Sequence, residues 1–213
     1  MMLQRFIAAR FRPLILLCGL LLLSGCAHQG APLPDQNWQE RYDELADLQH
    51  WQLTGKLGIR IPGDNGSASM NWQQRFQEYD IDLSGPMGSN RFSIKGRDGE
   101  VTLLQAGFEP QIANSAEELI LANTGWTIPV AQLAWWVRAL PAPDEPVSRL
   151  QRDEQRQLVE LEQAGWIIQY SNYRAVIRPD QNGAVALPGR VIASWGDIRL
   201  TLVIRDWQLG ERN

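Results

Sequence analysis

Apolar and polar residues alternate with period two along most of this chain, and that pattern leaves few folds open to it. Successive residues of a strand point to opposite faces of a sheet, so strict alternation marks a strand with one buried and one wet side. Trp51, Leu53, Leu57, Ile59 and Ile61 fall on one face, opposite Gln52, Thr54, Lys56 and Arg60. Ala68, Met70 and Trp72 alternate with Ser69, Asn71 and Gln73, and Tyr79, Ile81 and Leu83 with Asp80, Asp82 and Ser84. Phe92 and Ile94 follow, then Val101 to Gln105 beyond the Asp98-Gly99 turn. Near the end Val191, Ala193 and Trp195 lead through Gly196-Asp197 into Ile198, Leu200, Leu202 and Ile204, the clearest single strand. Such strands build an antiparallel meander with one face against a core.

Helices interrupt this series at few places. Asn37 caps a helix running to about Gln49, with Trp38, Tyr42, Leu45 and Leu48 on one stripe. Ser115 with Glu118 is a capping box opening a short helix that Gly125 ends. Pro129 suits the first turn of another helix, where Leu133, Trp136, Val137 and Leu140 line a face before Pro141 stops it. The spacing predicts a hairpin turn at Gly63-Asp64-Asn65-Gly66. Residues 149–164 have helical propensity, but Leu158, Val159 and Leu161 running into Ala164-Gly165 and Trp166 to Tyr170 favour strand from about Gln157; Ala175 to Arg178 is a further strand. Strands, two inserted helices, then strands again describe an α+β chain, mainly β: one curved antiparallel sheet with helices over its apolar face.

The N-terminus carries an address. Arg5, Arg10 and Arg12 precede an apolar run from Leu14 to Leu23, and Leu23-Ser24-Gly25-Cys26 closes it as a lipobox. The run is shorter than the roughly 20 residues needed to span a bilayer. Residues 1–25 therefore read as a secretory signal and Cys26 as the lipid-bearing first residue of the mature chain. Residues 26–36, with Gly30, Pro32 and Pro34, read as a flexible tether, and 37–213 as a single domain. The signal removes three of the 20 Lys+Arg and none of the 24 Asp+Glu, leaving a formal charge of −7. An acidic exported chain is a poor nucleic-acid binder.

Catalytic chemistry has little to stand on. The two histidines, His28 and His50, sit in the tether and at the end of the first helix. There is no nucleophile elbow, metal-binding HExxH pair, CxxC or phosphate loop, so neither metal nor cofactor is expected. Asp80 and Asp82 share a face, but the one opposite Ile81, where a solvated surface is the simpler reading than an acid/base pair.

The series Trp51-x-Leu53-x-Gly55-Lys56, Trp72-Gln73-Gln74, Leu83-Ser84-Gly85-Pro86-Met87-Gly88, Gly125-Trp126-x-Ile128-Pro129-Val130, Trp135-Trp136, Leu140-Pro141 and Gly165-Trp166-x-Ile168-x-Tyr170 resembles the LolB family. The resemblance runs in order over most of the mature chain. It implies a strongly bent, open antiparallel barrel closed by helices around an apolar cavity for acyl chains. It also implies a monomeric receptor, lipid-anchored at Cys26 in the outer membrane and facing the periplasm, which accepts acylated lipoproteins from a soluble periplasmic carrier and inserts them into outer-membrane lipid. On that reading the strands offer Leu57, Ile59, Met70, Trp72, Ile81, Leu83, Phe92, Leu200 and Leu202 to the cavity. The helical segment adds Trp126, Ile128, Leu133 and Trp136 as a lid. The competing reading is a structural or assembly lipoprotein of the outer membrane whose apolar sheet face is simply core; an unfilled cavity separates the two.

Two positions depart from the family pattern. Ala139 replaces the usual glycine before Leu-Pro, and Met87 replaces the usual leucine in the Gly-Pro-Leu-Gly loop. Pro86, Met87 and Gly88 form the tip between two strands, where polar residues are the norm. Met87 either folds back to cap the sheet or protrudes into a bilayer, and the resemblance points to the second.

Overall fold

The computed structural model describes residues 37–88, 90–97, 99–179 and 183–210. The signal read at 1–25, Cys26 and the tether to residue 36 lie outside them, as does the side chain of Met87. In chain order the elements are α1 (Trp38–Ala46), β1 (His50–Ile61), β2 (Asp64–Arg75), β3 (Glu78–Ser84), a single 3-10 turn (Pro86–Gly88), β4 (Phe92–Arg97), β5 (Glu100–Gln105) and β6 (Gln111–Ala113). They continue with α2 (Ala116–Thr124), α3 (Val130–Trp136), β7 (Val147–Arg152), β8 (Leu158–Gln163), β9 (Trp166–Ser171), β10 (Arg174–Ile177), β11 (Ala184–Leu187), β12 (Arg190–Trp195) and β13 (Ile198–Leu209). All belong to one compact unit, Ala31–Asn213.

Eleven strands form one antiparallel sheet in the order β6-β5-β4-β3-β2-β1-β13-β12-β9-β8-β7, and β10 pairs with β11 separately. The first and last strands, β1 and β13, therefore meet at its centre, each 12 residues long. Their register shifts between Thr54 and Gly55. There a Cβ on Gly55 would lie 2.3 Å from the carbonyl oxygen of Val203, so only glycine allows the two backbones this close. The core gathers on one face: Leu53, Trp72, Leu161, Ile168, Ile198 and Leu202 are buried together with Leu45 of α1 and Leu119 of α2.

The expected helix signals operate locally. The Asn37 side chain accepts from the Glu40 amide, Ser115 accepts from the Glu118 amide, and Gly125, at φ 76°, ends α2. The carboxylate of Glu118 reaches back to the Asn114 amide.

Other expectations need correction. The first hairpin turns at Pro62-Gly63 rather than at 63–66, because the pairing runs unbroken to Ile61 opposite Asp64. Proline presets one φ, and Gly63 at φ 81° supplies the other, so Asn65 and Gly66 are left to pair with Arg60 and Ile59 as strand. Strands β6, β7 and β11 escaped the periodicity reading, being short or polar on both faces. Trp195 keeps the register of Val191 and Ala193 but is exposed at the end of β12, stacked on Trp166.

Helix α3 stops at Trp136, short of Pro141, since Ala139 takes the left-handed conformation at φ 59°. Ala139 is fully buried, so Ala139→Gly relieves strain but loses a packed methyl and should be nearly neutral. Ala139→Val, β-branched at positive φ and larger than its site, should destabilise by at least about 2 kcal/mol. The urea unfolding midpoints of both variants measure this difference.

Candidate functional site

Cross-strand register brings the apolar faces together. Leu57 lies opposite Leu202, Ile59 opposite Leu200, Met70 opposite Leu83, Trp72 opposite Ile81, and Leu83 opposite Phe92. These pairs, from five neighbouring strands, wall a cavity of about 440 Å³. Its other side is the helical segment, through Leu119 and Ile120 of α2, Ile128 in the connection, and Val130 and Leu133 of α3. The polar lining residues are Gln105, Asn123 and Thr124; the remainder is aliphatic or aromatic. Among the described residues no cluster of His, Cys, Asp and Glu could hold a metal ion.

The cavity thus contains every sequence-assigned residue except Trp126 and Trp136. Trp136 is fully buried and turns away because its indole N–H needs an acceptor, which it finds 2.8 Å away in the Gln163 side-chain oxygen. Trp126 packs partly buried against the core without lining the space. Sequence reasoning missed Ile94, Leu103, Val191 and Ala193 as wall. All four lie on strands that it had found, and the period-two rule extended along those strands would have reached them. The pair Asp80 and Asp82 is no catalytic dyad: Asp80 accepts from Arg97, and Asp82 is exposed.

Two charged contacts hold the helical side in place, and a third fixes α1. Glu117 of α2 accepts from the Ala131 amide at the start of α3. At the far end of α3, Arg138 is buried and donates to the carbonyls of Leu45 (2.8 Å) and Leu48 (3.0 Å), where α1 ends and its backbone acceptors lack helical donors. Its guanidinium also lies over the rings of Trp135 and Trp51. Burial lowers its pKa to about 10, so it keeps its charge at neutral pH. Arg41, in α1, donates from inside the core to the Ala186 carbonyl. An arginine reads as surface in a sequence, which is why these anchors went unseen.

The connection between β3 and β4 springs from the cavity wall, since Leu83 and Phe92, one residue outside Ser84 and Arg91, both line the space. Its backbone is a single 3-10 turn closed by the Gly88 amide on the Gly85 carbonyl at 3.0 Å.

Residues 49–207 match the family model described as outer membrane lipoprotein LolB. An outer-membrane lipoprotein LolB of Cellvibrio japonicus is 49% identical over 200 residues, covering 92% of this chain and 98% of that protein. Its counterpart in Pseudomonas paraeruginosa is 43% identical over 205 residues, covering 93% of this chain and 97% of that protein. Among solved structures, a LolA superfamily protein from Nitrosomonas europaea has a similar fold, with a TM-score of 0.50 at 10% identity, over 81% of this chain and 93% of that one.

Proposed function

The chain belongs to the LolB family of outer-membrane lipoproteins, non-catalytic receptors in lipoprotein localisation, and from that membership we propose that its cavity receives the acyl chains of a lipoprotein handed over by a soluble periplasmic carrier and yields them to outer-membrane lipid. The observation that carries this reading is the unfilled apolar space between sheet and helices. A structural lipoprotein would have no use for it, because an empty cavity destabilises by about 24 cal/mol per Å³.

Each methylene moved out of water contributes about 0.8 kcal/mol, so an acyl chain of roughly 15 methylenes cannot cross the aqueous space alone at a useful rate. A cavity in the carrier facing a cavity in the receptor removes the barrier without covalent chemistry. Transfer then runs down a gradient of affinity that ends in the bilayer. Cys26 holds the receptor at the membrane through its own lipid, while binding belongs to residues 37–210.

The test uses Cys26→Ala protein, exported behind a cleavable signal with the carrier and an acylated lipoprotein, and then analysed by mass spectrometry of the intact complex. The lipoprotein should be found bound one to one. Leu57→Trp, which enlarges a partly buried side chain of β1 lining the free space, should reduce acceptance at least tenfold while leaving the unfolding midpoint nearly unchanged. A lowered midpoint with normal acceptance would mean that cargo does not use this cavity.

A further inference from the structure

On the face of the sheet opposite the cavity, polar side chains line up across neighbouring strands. Lys56 pairs with Ser69, and Ser69 with Ser84. Just beyond the Leu83–Phe92 pair, Ser84 and Arg91 both line the same groove. On the other flank Lys56 pairs with Val203, two residues from Arg205. Lys56, Arg91 and Arg205, with Ser69, Ser84 and Asn71, surround a groove of about 600 Å³ whose one carboxylate is Asp82. None of the three cations makes an ion pair with a described carboxylate. In a chain with a formal charge of −4 this is a local reversal of sign.

The groove is also placed where that charge has a use. Ser84 and Arg91 bracket the loop that carries Met87. Three residues of chain, from Ser84 to Met87, reach at most about 10 Å. The polar layer on each side of a bilayer is about 5–8 Å deep. With Met87 at the hydrocarbon boundary, the row from Lys56 to Arg91 stands at headgroup depth.

We propose that this groove binds the phosphate of anionic phospholipid headgroups and so orients the receptor with its loop against the bilayer. The assignment rests on the membrane-contact reading of that loop. Arginine grips a phosphodiester with paired N–H donors, and the serine hydroxyls and the Asn71 amide complete the donor set. Asp82 opposes binding and sets a limit on affinity.

The experiment measures partition of the Cys26→Ala protein onto phosphatidylcholine vesicles with and without phosphatidylglycerol. Wild-type protein should prefer the anionic vesicles, and the preference should fall with salt. Each of Lys56→Gln, Arg91→Gln and Arg205→Gln should reduce that preference about fivefold, and the triple variant roughly a hundredfold. Binding to phosphatidylcholine alone should not change, nor should the unfolding midpoint. Arg205→Lys, which keeps the charge but loses the paired donors, should leave a preference between those of wild type and Arg205→Gln. Equal binding of wild type to both vesicles, or an undiminished preference in the triple variant, overturns the proposal. So does a triple variant that slows transfer from the carrier without affecting vesicle binding, which would assign the groove to a protein partner. Met87→Glu separates the two readings, because it should weaken binding to both vesicle types. If it does not, the loop reading fails, while a lost anionic preference in the triple variant would still locate the phosphate site.

Discussion

Met87→Glu is expected to leave the fold and acceptance of cargo almost intact while reducing release of cargo into membranes by at least a hundredfold. The loop is a single 3-10 turn, Pro86–Gly88, with Met87 as its middle residue. An apolar side chain such as methionine contributes about 1.5–3 kcal/mol when it leaves water for lipid. A carboxylate at the same place must be desolvated or stay out, which reverses that contribution. Because Leu83 and Phe92 belong to the cavity wall, holding the tip off the bilayer also holds the exit of the acyl chains in water. Met87→Leu should be silent. Unfolding, carrier-to-receptor transfer and receptor-to-liposome transfer on both variants decide the matter. If Met87→Glu unfolds the domain and Met87→Leu does not, the side chain was packed under the sheet and the membrane contact is wrong.

How far this molecule could be read from its sequence depended on which force shaped each part. Alternation located β1 to β5, β9, β12 and β13 because burial on one face alone demands period two, and the same rule named nearly the whole sheet side of the cavity. It could not find β7, whose residues are mostly exposed on both faces, nor β11, whose Val185, Ala186 and Leu187 are buried on both. Turn chemistry was legible where glycine supplied positive φ, as at Gly125. It misled at Asn65-Gly66, where the proline one turn earlier had already reversed the chain. Ala139 shows the reverse case, a left-handed residue without the glycine that would announce it. The buried polar anchors were hidden altogether. Arg41, Arg138 and Gln163 are types that usually face water, and only the carbonyls and indole around them explain why they do not.

Gln163→Leu should therefore destabilise the protein more than any cavity substitution, by about 3–6 kcal/mol. Gln163 is fully buried at the end of β8, and its amide is saturated. The oxygen accepts from the Trp136 indole and the Ala142 amide, both at 2.8 Å, while the nitrogen donates to the Ala142 carbonyl (2.8 Å) and the Glu145 carbonyl (2.7 Å). One side chain thus joins the end of α3, the proline-rich loop 141–146 and the sheet. Leucine has nearly the same volume but would strand two donors and two acceptors, three of them in buried bonds, at about 1–3 kcal/mol for each unsatisfied buried group. Against a total of about 5–15 kcal/mol for an ordinary domain, the loss would be plain in urea unfolding. It should also free Trp136 to enter the cavity, so that acceptance of cargo falls in molecules that remain folded. Gln163→Glu tests the mechanism by its pH dependence. At neutral pH the carboxylate would keep both donors but confront two carbonyls with no proton between them, and its folded pKa must rise above the unfolded value. The folded state then binds more protons than the unfolded one, so the variant's stability should increase as pH falls through that raised pKa. Wild type has no such group at this position and should show no matching gain. A glutamate variant as stable as wild type at pH 7, or one that weakens steadily with acid, would mean that the four bonds do not anchor the helical side of the cavity.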